Sequence, residues 1–343
     1  MSNGDSNLVK QKKNRKLLKD NNFNRLAIIL VVLVAIFTAC RPREFFSVGN
    51  FQAMSYQFPE FGLMALGVML TMIAGGIDLS VVGMANLASI LAAVTMVSLS
   101  GTIGIYPAII VSIIVGLLVG VICGIFNGIL VSALGVPAML ATLGAQQLYT
   151  GIGLVITKGS GISRLPTEFA LMGRAQILGV VPVSVLLFAV IVAILAFKMN
   201  KTRFGSELYL VGSNSVASRF SGINNIKVLT KAHMMSGLLS SVAGIVMLAN
   251  YNSAKPDYGT AYTLQTILIS VLGGVSPNGG FGKVGGVVLA ILILQVSSSG
   301  LNMFSSISNF YRQLIWGAVL LLVLSLNYLR NYFEERKVAK VSK

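Results

Sequence analysis

Long runs of apolar residues, broken by short polar or glycine-rich segments, dominate the pattern of this chain. A helix needs about 20 mostly apolar residues to cross the hydrocarbon core of a bilayer. Ten candidate blocks fall at about 26–41, 60–77, 79–99, 104–132, 138–157, 181–198, 232–251, 262–275, 285–304 and 309–329. The pattern predicts an all-α fold, a polytopic transmembrane helical bundle of about ten spans with some broken or re-entrant helices. Block 262–275 is short enough to be re-entrant, and block 104–132 is long enough to tilt. The segments 43–59, 158–180 and 199–231 read as loops, and no soluble domain is evident.

Composition agrees with the pattern. Of 343 residues, 55% are hydrophobic and only 10% charged, against roughly 25% charged in soluble domains. The net charge of +16 gains meaning from its placement. Seven basic residues lie in residues 1–25, six between Lys198 and Lys231, and five between Arg330 and Lys343, together 18 of the 26. Cytoplasmic loops of membrane proteins carry such an excess. Ten spans put both termini on one side, and loop 199–231, after six spans, falls on that side too. Count and charge therefore agree on 1–25 as a basic cytoplasmic tail, 26–329 as the transmembrane domain and 330–343 as a second basic tail. A nucleic-acid surface would interleave basic and aromatic residues on one folded domain, and none is seen.

Little catalytic chemistry is present. Cys40 and Cys123 form no CxxC pair, and His233, the single histidine, rules out a histidine-based metal cluster within one chain. Phe37-Thr38-Ala39-Cys40 has the outline of a lipoprotein cleavage box, but the long polar segment before it fits a retained first span. Gly280-Phe281-Gly282-Lys283-Val284-Gly285 matches GxGxxG without the acid that a dinucleotide fold requires, since no Asp or Glu occurs between Asp257 and Glu334. Val284 also stands where a P-loop needs Ser or Thr. His233 reads as a residue at the edge of a span, and Trp316 with tyrosines near span ends as an aromatic belt. No cofactor, metal or enzymatic activity is expected, so any energy must come from a partner or a gradient.

Two features concern packing. Gly116, Gly120, Gly124 and Gly128 recur every four residues on one helix face, a smooth ridge for a neighbouring helix, with Asn127 placed to hydrogen-bond across it. Leu70–Gly76 running into Ile77-Asp78-Leu79-Ser80 resembles Ile269–Gly274 running into Val275–Gly280; paired glycines in corresponding halves can mark broken helices. Asp78 reads either as the cap of a helix beginning at Leu79 or as an ion or substrate ligand. Glu60 lies at the edge of a span. The scarcity of acids inside the spans speaks against an ion-coupled carrier.

Several stretches together carry a family resemblance. Gly75-Gly76-Ile77-Asp78-Leu79-Ser80-Val81 resembles the GGIDLSVG signature of the ribose/galactose-type ABC transporter permeases. Phe126–Val131, Val136-Pro137-Ala138 and Ala141–Gly144 resemble the family's NGLLV and IPPFIATLG stretches. Gly212, Asn214, Ala217, Arg219 and Ser221-Gly222-Ile223 resemble its cytoplasmic loop. Ser236-Gly237-Leu238, Ala243-Gly244-Ile245, Leu272-Gly273-Gly274 and Gly279-Gly280 follow in order, so the likeness spans roughly residues 62–325. The chain departs from the pattern at Ser215, Val216 and Ser218, and at Phe281-Gly282-Lys283.

The resemblance implies a permease subunit of an ABC importer for a small sugar, or for a nucleoside or furanone-like signal molecule. It would work with a second permease subunit, a cytoplasmic ATPase that binds the ATP, and an extracytoplasmic solute-binding protein. The stretch from about Ser213 to Ile223 would form the coupling helix, with Asn214, Ala217, Arg219, Ser221 and Gly222 at the ATPase. Polar residues at membrane depth are costly and often line a path. Asp78, Asn86, Thr142, Gln146, Gln147, Gln265, Thr266, Gln295 and Asn302 are the candidates.

Overall fold

The computed structural model describes residues 23–304 apart from 178 and 180, with a few isolated positions from 314 to 325. Most of both basic tails, most of the expected span 309–329 and Trp316 lie outside the described residues.

The helices in chain order are α1 (Phe23–Cys40), α2 (Pro42–Phe45), α3 (Val48–Ile73), α4 (Val81–Ile103), α5 (Ile105–Ser132), α6 (Ala138–Thr157), α7 (Thr167–Arg174), α8 (Val183–Lys201), α9 (Arg203–Ser213), α10 (Ser215–Phe220), α11 (Asn225–Tyr251), α12 (Tyr262–Leu272) and α13 (Val284–Asn302). The described strands are two residues each, β1 (Gln176–Ile177) and β2 (Val181–Pro182), paired antiparallel with Gln176 opposite Pro182. Among the described residues, eight helices are long and apolar enough to cross a membrane: α1, α3, α4, α5, α6, α8, α11 and α13. With 11 residues, α12 is roughly 16 Å long, about half the ~30 Å of hydrocarbon. Ten spans are thus not reached within the described residues.

One expected loop is helical. Residues 48–59 are the first half of α3, opened by Ser47, whose hydroxyl accepts the Asn50 N–H at 3.2 Å. The polar residues that made this segment read as a loop serve a neighbouring helix. Gln57 accepts from Gln295 of α13 at 3.2 Å, and Asn50 accepts from Ser299. Segment 199–231 is likewise mostly helical, comprising the end of α8, α9, α10 and the start of α11.

Burial sorts the spans into two tiers. In the most apolar stretch of α3, 83% of residues are buried, with similar shares in α4, α11 and α13, whereas the share in α1 is 11% and in α8 22%. Large side chains such as Val31, Ile122, Leu140 and Phe197 point outward. Contiguous apolar surface of this extent is untenable in water, and lipid solvates it. The chain is a multi-pass membrane protein.

Helices α3 and α12 end in the same way. The Gly76 N–H reaches the Thr71 carbonyl, and the Val275 N–H reaches that of Ser270, with Gly75 and Gly274 in the left-handed region. Both are Schellman ends, which favour glycine at that position. The two similar sequence segments therefore share a local structure in the same register: Thr71 corresponds to Ser270, and Gly75 to Gly274. The turns then meet. Gly280 N–H donates to Ile73 O at 2.9 Å, and Gly212, near the end of α9, has so little room that a Cβ would collide with the Ile73 carbonyl. A Cβ at Gly279 would lie 2.6 Å from Gly212 O and 2.8 Å from Gly75 Cα. This junction joins α3, α9 and the α12–α13 turn backbone to backbone.

Candidate solute path and coupling surface

At the bundle end carrying the junction, Asn214 ends α9 and starts α10. Its side chain accepts the Val216 and Ala217 N–H groups at 3.0 and 2.9 Å, an N-cap. Gly222 takes a left-handed conformation, and Ile223 N–H closes on Ser218 O. Ser218 is bonded to Asn225 at 3.0 Å, and Asn225 to the Ser215 carbonyl at 2.7 Å. The short helix is therefore stapled to α11. Arg219 is exposed. Sequence reasoning missed the apolar residues beside it: Phe220 is 90% exposed and Val216 64%, four positions apart and so on one helix face. Together the two side chains make one apolar face on this short helix.

Asp78 sits at the centre of a fully buried network. One carboxylate oxygen accepts the Ser80 N–H at 3.0 Å and the Ser80 hydroxyl at 2.6 Å; the other accepts the Ser236 hydroxyl of α11 at 2.8 Å. Asn127 donates to Ser80 Oγ at 2.7 Å and accepts from Tyr149 OH at 2.8 Å. The helix that Asp78 precedes begins at Val81, two residues later than the sequence suggests, and Asp78 does not cap it. Backbone donors in its first turn and just before it are met from α6. Gln146 Oε1 accepts the Gly83 N–H at 2.8 Å, and the Thr142 hydroxyl accepts the Leu79 N–H at 3.1 Å. Such termini leave several N–H groups to be satisfied, and two expected path residues are committed to that task.

Glu60 also differs from its sequence reading. It lies in the middle of α3, 1% exposed, and accepts from Asn250 at 2.8 Å, Tyr251 at 2.6 Å and Tyr262 at 3.3 Å, linking α3, α11 and α12. Asn86 is spent on the α11–α12 connection, donating to the carbonyls of Pro256 and Tyr258 at 2.9 and 2.8 Å. Thr266 donates to Thr263 O within α12. Gln265 is buried, and its carbonyl oxygen has no partner. Gln147 is on the outward face of α6.

Gln295 and Asn302 come together. They line a cavity of about 220 Å³ between α3 and α13, with Glu44, Asn50, Gln57, Ser299 and the apolar Ala53, Met54 and Met303 also on its wall. The cavity lies at the end opposite α9 and α10, since α3 ends and α13 begins at the junction. A spacing signal existed in the sequence: Gln295, Ser299 and Asn302 share one helix face at i, i+4 and i+7.

The glycine ridge packs inside the chain. A Cβ at Gly128 would lie 2.7 Å from Thr230 Cα, one at Gly124 would lie 2.8 Å from Met234 Cα, and one at Gly120 would collide with Gly237 O. Partner numbers rise as ridge numbers fall, so α5 and α11 run antiparallel. Gly116 meets Ala88 and Ala92 of α4 and Ile245 of α11. His233, whose Nδ1 is 3.0 Å from Leu229 O, is buried in this seam rather than at its edge. The GxGxxG match lies in the α12–α13 turn, with no strand before it.

A multi-pass bundle with a projecting amphipathic helix at one end and polar groups between its inner helices is built as a membrane permease. The family model described as "Branched-chain amino acid transport system / permease component" matches residues 50–324, and the chain belongs to this family. It is 34% identical over 301 residues to the ribose import permease protein RbsC of Escherichia coli (strain K12), covering 87% of this chain and 91% of that protein. RbsC of Bacillus subtilis (strain 168) is 35% identical over 300 residues, 87% and 90% of the two chains. The L-arabinose transport system permease protein AraH of E. coli (strain K12) is 30% identical over 295 residues, 85% and 87% of the two. No solved structure matches the chain significantly.

Proposed function

We propose that this chain is the permease subunit of an ATP-driven ABC importer for a monosaccharide delivered by an extracytoplasmic binding protein. The observation that carries the reading is the similarity to ribose and arabinose permeases over at least 85% of the chain. Those relatives favour a sugar over a nucleoside or furanone-like solute. The α9–α10 end is cytoplasmic, in keeping with Lys198, Lys201, Arg203, Arg219, Lys227 and Lys231 around it, and both termini lie on that side. ATP is bound by the partner ATPase, and the chain itself carries no cofactor and catalyses no reaction. A second permease subunit, identical or not, completes the pathway.

In this reading the ATPase covers Val216 and Phe220, with Arg219 at the rim of the contact. Closure of the ATPases pushes on α10. Because α9 meets α3 and the α12–α13 turn through glycine backbones, the push reaches the inner helices without a compressible side chain between. Rigid-body rocking of this kind is a common switching mode. The test is capture of the ATPase from gently solubilised membranes by the intact chain and by Phe220→Glu and Arg219→Glu. The intact chain retains the ATPase, Phe220→Glu loses it at least tenfold, and Arg219→Glu loses less. Retention by Phe220→Glu at the intact level would move the contact elsewhere. Sugar uptake by vesicles lacking any ATPase would refute the ABC reading.

A further inference from the structure

The α3–α13 cavity has the makings of a solute site. Gln295 and Ser299 are 3% and 7% exposed, and the wall they form with Asn50 and Gln57 is made of amides and one hydroxyl. A primary amide offers two donors and an acceptor. Gln295 spends one donor on Gln57 Oε1, and Ser299 spends its proton on Asn50 Oδ1. Asn50 anchors its own donor on Phe45 O at 2.9 Å, which fixes the orientation of that amide. The remaining capacity of Gln57 and Gln295 faces open space, and neither belongs to the buried polar groups left without a partner, unlike Gln265.

The charge balance narrows the ligand. Among the described residues on the cavity wall one is acidic, Glu44, paired with Arg41 at 3.1 Å; Ala53, Met54 and Met303 add apolar surface to the amides and the hydroxyl. Paired with Arg41, Glu44 leaves no net charge on the described wall to hold an ion, and an apolar molecule would leave the amides unsatisfied at about 1–3 kcal/mol each. A neutral molecule with hydroxyls along its edges and C–H groups on its faces matches both the amides and the apolar side chains of the wall. A volume of about 220 Å³ equals the liquid share of about seven waters at ~30 Å³ each, room for one monosaccharide.

We infer that the cavity between α3 and α13 is a waystation that holds one monosaccharide through Gln57, Gln295 and Ser299, at the bundle end away from α10. The inference rests on the permease reading and names a site for its solute. Two experiments on the assembled transporter test it, with D-ribose as the probe. In the first, Ser299→Cys is made in a chain whose exposed Cys40 is serine (Cys123 is buried), and its reaction with a small methanethiosulfonate is timed. Saturating D-ribose slows the reaction at least fivefold, whereas equal glycine betaine, a zwitterion of no net charge that lacks hydroxyls, leaves it unchanged. No reaction at all, or equal slowing by both, overturns the site. In the second, uptake into proteoliposomes is compared for the intact chain, Gln295→Leu and Gln57→Leu. Each variant raises the KM for sugar at least tenfold while the maximal rate falls less; unchanged kinetics in both overturn the proposal. Failure of the intact transporter to move any monosaccharide would instead sink the functional reading, and the labelling result would still judge the cavity.

Discussion

Between α5 and α11 the backbones touch. Gly120 and Gly124 receive Gly237, and Gly128 receives Thr230, with no room for a single added carbon. Between α3 and α13, near the other end, the helices stand apart, joined by the pairs Gln57–Gln295 and Asn50–Ser299 with a cavity among them. Both are ways to hold spans together where lipid removes the hydrophobic drive for helix association. A glycine seam gains dispersion and close approach but has one fit. An amide seam keeps spare hydrogen-bonding capacity and space. The first suits a fixed frame, and the second leaves the room that the proposed solute site requires.

The contrast can be broken most forcefully at Gly124. Gly124→Leu drives a side chain into the His233–Met234 backbone, and overpacking of this kind costs about 1–3 kcal/mol, here at the upper end because the colliding atoms are backbone. The expected result is loss of the monodisperse peak on size exclusion in detergent; a normally folded variant would mean the seam is not rigid. Asp78→Ala comes next. It strands the Ser80 N–H and the Ser80 and Ser236 hydroxyls in a buried site, at about 1–3 kcal/mol for an unmet group, and lowers the melting temperature by several degrees. An unchanged transition would show that the network does not bind α11 to the start of α4. Smallest is the effect of Gln295→Leu on stability. The Gln57 amide it leaves behind faces the cavity and can take water, so the loss stays under about 1 kcal/mol. A loss as large as that at Asp78 would mean the α3–α13 seam is frame as well.

Much of this was legible along the chain. The blocks of apolar residues gave most spans, because lipid demands the same length and hydrophobicity whatever the packing. The four-residue glycine repeat pointed to the α5 face. What was hidden lay where polar residues serve a neighbour distant in sequence. The polar residues of 48–59 lowered the local hydropathy and disguised half of α3, since their partners sit some 240 positions away. Thr142 and Gln146 read as path residues because a hydroxyl or an amide at membrane depth looks the same whether it faces a solute or serves the start of another helix. Phe220 was lost for the opposite reason: one exposed aromatic is unremarkable in a sequence and tells only when its helix and neighbour are placed.

The junction of Gly75, Gly212 and Gly279 also bears on how the molecule is made. Synthesis runs from the N-terminus, so α3 is in the membrane long before the α12–α13 turn that closes over its end. Until that turn emerges, the Ile73 carbonyl has no Gly280 N–H to accept, and the α9 end lacks its lid. Assembly of the inner tier therefore finishes late, as one of the last contacts made. A nascent chain stalled after α11 keeps an open edge shaped for a turn it does not yet own.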